Sequence, residues 1–258
     1  MKLDQFIADS IKRVSVFDPS TSDLMFMATQ IQDGNINGST EQTEITGMAG
    51  MRIALLDRSK AATVSWTNGL IVANGIAAQV GATVQEASEE APILAPAIDV
   101  VKLSTATSAT LPNTPANANV KIYRVSSTGG QGEKLSLVAS TPKTGEFSIT
   151  GSTITFADGD FASGESVFAF YDYNAKVGKK ISNKADEFTR NVRVVVEILV
   201  RDTCDDKVYI SKMVLPRAKL SGNFDIALGE ASNHPFEAAA LIDLCSIDQT
   251  LWDWFIVE

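Results

Sequence analysis

A chain of 258 residues, 45% hydrophobic and 21% charged, has the chemistry of a folded globular protein and lies near the upper limit for one hydrophobic core, so one large domain or a domain with an insertion is expected. Its formal charge of −9 and pI near 4.7 exclude a protein that wraps nucleic acid through a basic face. The same sign suits a surface that DNA must slide past without adhering.

The amino terminus, MKLDQFIADSIKR, carries two acids and no apolar core of useful length, which excludes a secretory signal. Met1 to Lys12 reads either as a short amphipathic helix, with Leu3, Phe6, Ile7 and Ile11 at helical spacing, or as a mobile arm. Val14 and Val16 then alternate as a strand, Asp18 to Ser22 reads as a turn around Pro19, and Leu24 to Gln32 resumes as a strand. Asp33-Gly34-Asn35 is the strongest hairpin signal, because Asp-Gly tolerates positive φ. From Gln30 to Thr46 nearly every position is Thr, Ser, Asn, Gln or Glu, so this segment has almost no apolar face to bury on its own core and needs a partner.

The same segment matches a calcium-loop pattern, D-x-[DN]-x-[DN]-G-x5-E, through Asp33, Asn35, Asn37, Gly38 and Glu44. That pattern means calcium only between two helices, and Thr46, Gly47 and Gly50 make the exiting segment a poor helix, so a polar hairpin is the preferred reading. Beyond Met51, Ile53, Leu55 and Leu56 read as one strand, Asp57 to Lys60 as a polar turn, and Ala62, Val64 and Trp66 as the next strand. Asn68-Gly69 breaks the pattern, and Leu70 to Gln79 fits an Ala-rich helix that packs on a sheet and ends at Gly81. The run Gly69 to Val84, interrupted by Asn74 and Gln79, is too short and polar to span a bilayer, and a cytosol-like compartment is expected.

Glu86 to Pro96 reads as a linker, after which Ala97 to Lys176 becomes rich in Ser, Thr, Gly, Val and Phe. Short strands are expected at 100–103, 120–125, 134–139, 147–149, 153–156 and 166–173, between turns at Gly129-Gly130, Thr144-Gly145, Asp158-Gly159 and Ser163-Gly164, which predicts a small β-sandwich or hairpin array. Val192 to Leu199 is apolar at most positions and predicts a largely buried strand; Tyr209 to Lys219, Phe224 to Leu228 and two strands within Pro235 to Glu258 follow. Cys204 and Cys245 lie far apart without a CxxC, which in a reducing compartment predicts two free thiols, with a single disulfide as the alternative. Cys204, Asp205 and Asp206 form an incomplete metal ligand set.

Catalysis is poorly provided for. His234 is the one histidine and reads as a surface residue of a Ser-Asn-His-Pro turn; GxSxG, a P-loop, GxGxxG after a strand and a telling acid pair are all missing. No enzyme and no cofactor are expected.

The segments "ITGMAGMRIALLDRSKAATVSW", "KISNKADEFTRNVRVVVEILVRDTCDDKVYISKMVLPRAKLSGNFDIAL" and "HPFEAAALIDLC…LWDWFIV", in their order around a hairpin and a short helix, resemble the tail tube (major tail) proteins of tailed bacteriophages. The resemblance covers Val14 to Leu94 and Ile181 to Val257. It implies a mainly β fold: a sandwich or barrel-type tube domain in two parts, 1–96 and 177–258, with one packed helix and a β-rich inserted domain at 97–176, the insertion being an outer decoration. It also implies a virion protein assembled in the host cytoplasm, whose homo-hexameric rings stack into a hollow tube. Its partners would be the tape measure, tail terminator, baseplate and a sheath where one exists, and DNA would pass through without specific binding. Six copies of −9 give −54 per ring. The expected bore or ring contacts are Gln32, Asp33, Asn35, Asn37, Glu41 and Glu44, with Arg52 and Asp57 from the strand after Met51. Alternatives are a capsid decoration or baseplate ring protein, or a β-sandwich adhesin or carbohydrate-binding module, which the missing signal peptide disfavours.

Overall fold

The computed structural model describes residues 6–203, 207–223, 225–226, 233–242 and 247–256. The chain forms two compact units, one from residues 1–84 and 181–258 and the other from 85–180. In chain order the first unit contains β1 (Phe6–Phe17), β2 (Leu24–Ala28), β3 (Ile31–Thr46), a 3-10 turn (Met48–Gly50), β4 (Arg52–Asn68) and α1 (Ala73–Val80). The chain then runs through β5 (Val84–Glu86), β6 (Ile93–Lys102), β7 (Ser108–Thr110), β8 (Lys121–Val125), β9 (Gln131–Lys134), β10 (Ser136–Leu137), β11 (Glu146–Thr150), β12 (Thr153–Phe156), β13 (Ser166–Ala175) and β14 (Lys179–Ile181). It ends with β15 (Asn191–Asp202), β16 (Val208–Leu220), β17 (His234–Ala240) and β18 (Asp253–Phe255). The fold is mainly β.

One sheet, ordered β2-β1-β15-β16-β17-β4-β3 with β18 added beside β16, makes up the first unit. It folds over itself, so that Val14 and Val16 of β1, Val194 and Val196 of β15 and Leu215 of β16 share one core with Val64 and Trp66 of β4 and Phe236 of β17. Phe236 is the centre of that core. It stacks on Trp66 at 5.2 Å and on Phe26 at 5.3 Å, and Gly75 lets α1 lie directly on its ring, where an added Cβ would come within 2.9 Å of Cζ. Gly81, at φ +76°, caps α1 and donates to the Ala77 carbonyl, where the sequence ends its helix.

Three local expectations are corrected. Residues 6–12 are strand rather than helix or free arm, continuous with the expected strand around Val14 and Val16, because β1 pairs along its length with the apolar β15. Asp33-Gly34-Asn35 is not a turn: it lies inside β3, and the Ile11 side chain of β1 lies over Gly34 in the space a Cβ would take. The polar run 57–60 does not turn either, since β4 continues through it and absorbs the irregularity as a bulge at Arg58. The hairpin turn lies instead at Gly47–Met51, closed by Gly47 N–H donating to Met51 O at 2.8 Å, with Gly50 at φ +73°.

The second unit has two four-stranded sheets, β10-β11-β12-β7 and β6-β13-β8-β9. Phe147 and Ile154 from one and Val101, Ile122, Val167 and Ala169 from the other share a second core, which makes this unit a β-sandwich. Residues 93–96 belong to β6 and are not linker, because β6 pairs with β13 from Ile93 to Lys102. Asp160 is buried here and fully engaged: Arg124 Nη2 reaches Oδ1 at 2.8 Å, and the Gly145 N–H donates to Oδ2 at 2.8 Å.

Candidate assembly surface

β3 and β4 form a ribbon whose root is part of the folded sheet and whose outer half stands free. Near the root, Gly34, Ile36 and Gly38 pair with Trp66, Val64 and Ala62 on the core side, while Asp33, Asn35, Asn37, Ser39 and Glu41 pair with Thr67, Ser65, Thr63, Ala61 and Ser59 on the outward side. β17 extends that outward face with Pro235, Glu237 and Ala239. Across these three strands, up to Glu41, the face consists of hydroxyls, amides, small residues and three carboxylates, with no lysine or arginine. The first cations are Lys219 at the β16 border and Arg58 at the bulge.

Charge changes sign along the outer surface of the same sheet. Over β1, β15 and β16 that surface carries Arg13, Arg193 and Lys212, with Glu197 answering Arg13 at 2.5 Å. Concave ground is shallow: a hollow of about 400 Å³ is lined by Asp33, Asn35, Ser65, Thr67 and Glu237 of the polar face, and one of about 510 Å³ lies away from it, beside Asp18 and Arg190.

Beyond Ala61 the ribbon leaves the core, and the strand reaches about 30 Å at roughly 3.4 Å per residue before its turn. Side-chain rungs hold its two strands together without a core beneath them. Ser59 Oγ donates to Glu41 at 3.0 Å, Gln42 Nε2 to Asp57 at 2.8 Å and Arg58 Nε to Thr43 at 3.1 Å, and Arg52 pairs with Glu44 at 2.9 Å. Yet Ile45, Met48, Met51, Ile53, Leu55 and Leu56 are exposed on this arm. A free two-stranded ribbon is marginal in water, so an arm with this apolar load is built for contact.

A family model described as the YomU/Tube protein family matches residues 5–252. The chain belongs to the YomU/Tube protein family. Comparison with curated proteins gives no match. The family name and the resemblance carried by the sequence agree on a tail-tube-type structural protein. For this tube-family chain the matched range begins before the first β-strand and ends near the last, with the second compact unit between its limits.

The eight residues singled out in the sequence do not form one site. Asp33, Asn35, Asn37 and Glu41 share the polar face; Gln32 is the extra residue of a bulge at the start of β3. Glu44 and Asp57, partners of Leu55 and Gln42, lie on the opposite side of the arm, and Arg52 is tied to Glu44. Missed in the sequence were Thr63, Ser65, Thr67 and Glu237, which complete the face; the alternation of hydroxyls with Val64 and Trp66 was the available signal. The calcium pattern fails on geometry. Asp33 and Glu44 occupy one extended strand, about 36 Å apart at roughly 3.3 Å per residue, too far to share an ion. Among the described residues no cluster of three or more His, Cys, Asp or Glu could hold a metal, and no helix is long and apolar enough to cross a membrane. Cys204, Cys245, Asp205 and Asp206 lie outside the described residues, as does most of 224–228.

His234 is not a surface turn residue. It is fully buried as the first residue of β17, where it lies against the Phe236 ring at 4.2 Å between centroids. Gln79 of α1 donates from Nε2 to Pro235 O at 2.9 Å, which turns its Oε1 to His234 Nε2 at 2.7 Å. That nitrogen therefore carries the proton, and burial pushes the imidazole below its ordinary value of 6.5. The histidine clamps helix to sheet.

Proposed function

We propose that this chain is the repeating subunit of a phage tail tube, in which six copies close a ring, rings stack, and the bore conducts DNA. The observation that carries the reading is the outward face of β17, β4 and β3, polar and free of lysine and arginine. A face of Thr, Ser and Asn with Asp33, Glu41 and Glu237 stays wetted and repels phosphate, which suits a channel wall that DNA must not grip. The free edge of β3 and the apolar arm are the contacts that assembly would cover, and covering them removes two hazards to a soluble subunit, an open sheet edge and an exposed apolar surface. Tape measure, terminator, baseplate and any sheath would be its partners in the virion, and its role is structural rather than catalytic.

Charge reversal on the wall tests this reading. Replacing Asp33, Glu41 and Glu237 with lysine is expected to leave tube formation intact and to slow DNA ejection from phage carrying the variant, measured by dye-detected DNA release. Ejection at the unchanged rate would contradict a bore assignment for this face.

A further inference from the structure

The arm carries a chemical feature that shape and apolarity alone do not require: two of its exposed apolar groups are thioethers. Met48 is 93% exposed and Met51 70% exposed, on either side of the turn between β3 and β4. The other methionines among the described residues are sheltered. Met213 is buried in the core at 1%, and Met25 and Met27 are half-buried on β2. Thioether sulfur is oxidised according to its access to solvent, so peroxide would reach the tip before it reached any of these three. The turn itself would survive the modification, because it is held by main-chain groups, Gly47 N–H to Met51 O, and by the backbone freedom of Gly50. Neither side chain contributes to either core.

We propose that Met48 and Met51 are an oxidation site that controls docking of the arm. As thioethers they join Ile45 and Ile53 in an apolar tip that another copy of the chain can cover. As sulfoxides they present a polar oxygen that cannot be buried without a partner, and docking fails. In the step itself the sulfur lone pair attacks hydrogen peroxide, an S–O bond forms, the O–O bond breaks and water leaves; sulfur loses two electrons and peroxide gains them. The proposal rests on the tube reading above, in which the arm tip contacts a second copy. It adds that this contact has a chemical off state, available before assembly and closed after it, since a covered tip is shielded.

Treatment of the purified chain with hydrogen peroxide, followed by peptide mass spectrometry and light-scattering measurement of self-association, tests it. Sulfoxide is expected first at Met48 and Met51, with self-association slowed about tenfold or more. The double variant Met48→Leu/Met51→Leu should associate normally and be insensitive to the same treatment, and preformed assemblies should protect both methionines. The proposal is overturned if tip-oxidised protein associates at the untreated rate, if Met213 oxidises as fast as the tip, or if the leucine variant loses association equally on treatment. Should the untreated chain fail to associate at all, the tube reading falls and this proposal with it; association of untreated and oxidised protein alike removes the proposal alone.

Discussion

His234 and Gln79 show how a polar pair can hold a core element in place. Gln79 spends both ends of its amide on β17, one on His234 and one on Pro235 O, so Gln79→Ala leaves the buried His234 N–H and the Pro235 carbonyl without these partners. A loss of about 1–3 kcal/mol in urea unfolding is expected, with the sheet intact. The pH response follows from the direction of the histidine shift. Its folded value lies below 6.5, so the unfolded chain takes up the proton first; the stabilising contribution is complete above 6.5 and is lost as pH falls below it, by at most about 1.4 kcal/mol per unit. Because the chain has one histidine, urea midpoints measured from pH 7.5 to 5.5 can be assigned to it, and His234→Gln should flatten that slope. Nothing in the sequence separates this residue from a histidine in a Ser-Asn-His-Pro turn; its burial depends on the long-range arrival of α1.

At the scale of the element, the β3–β4 arm is where structure and sequence diverge most. Replacing Ile53, Leu55 and Leu56 with serine removes apolar surface that no core uses, so unfolding free energy should stay within about 0.5 kcal/mol while self-association is lost. A parallel fall in stability would mean instead that the arm folds back onto its own subunit. Strands with strict alternation and a buried side were legible: β12 and β13, and β15 with its run of valines, lie where their patterns place them. Glycine was ambiguous. Gly81 ends a helix as read, whereas Gly34, read as a turn, makes room for Ile11, and local sequence cannot tell positive φ from a close approach by a distant strand. The polar run 57–60 was misread for a related reason: a strand with neither side buried loses the period-2 signal, and its continuity shows only in its pairing with β3 and its rungs to Gln42 and Thr43. Half of the candidate wall could be named from the polar segment 30–46, but the other half comes from β4 and β17, whose register with it is a property of the fold.

For the whole molecule, a net charge of −9 understates how charge is arranged. Three carboxylates and no lysine or arginine occupy the face of β17, β4 and β3 up to Glu41, while Arg13, Arg193 and Lys212 occupy the outer surface of β1, β15 and β16. A subunit so polarised has one surface suited to a DNA channel and another that a channel would exclude. Cryo-electron microscopy of tubes grown from the purified chain tests that assignment most directly. The account predicts hollow, ring-stacked tubes with Asp33, Asn35, Thr63, Ser65 and Glu237 facing the bore. A chain that stays monomeric under tube-forming conditions, or a tube whose bore is lined by Arg13, Arg193 and Lys212, would contradict it.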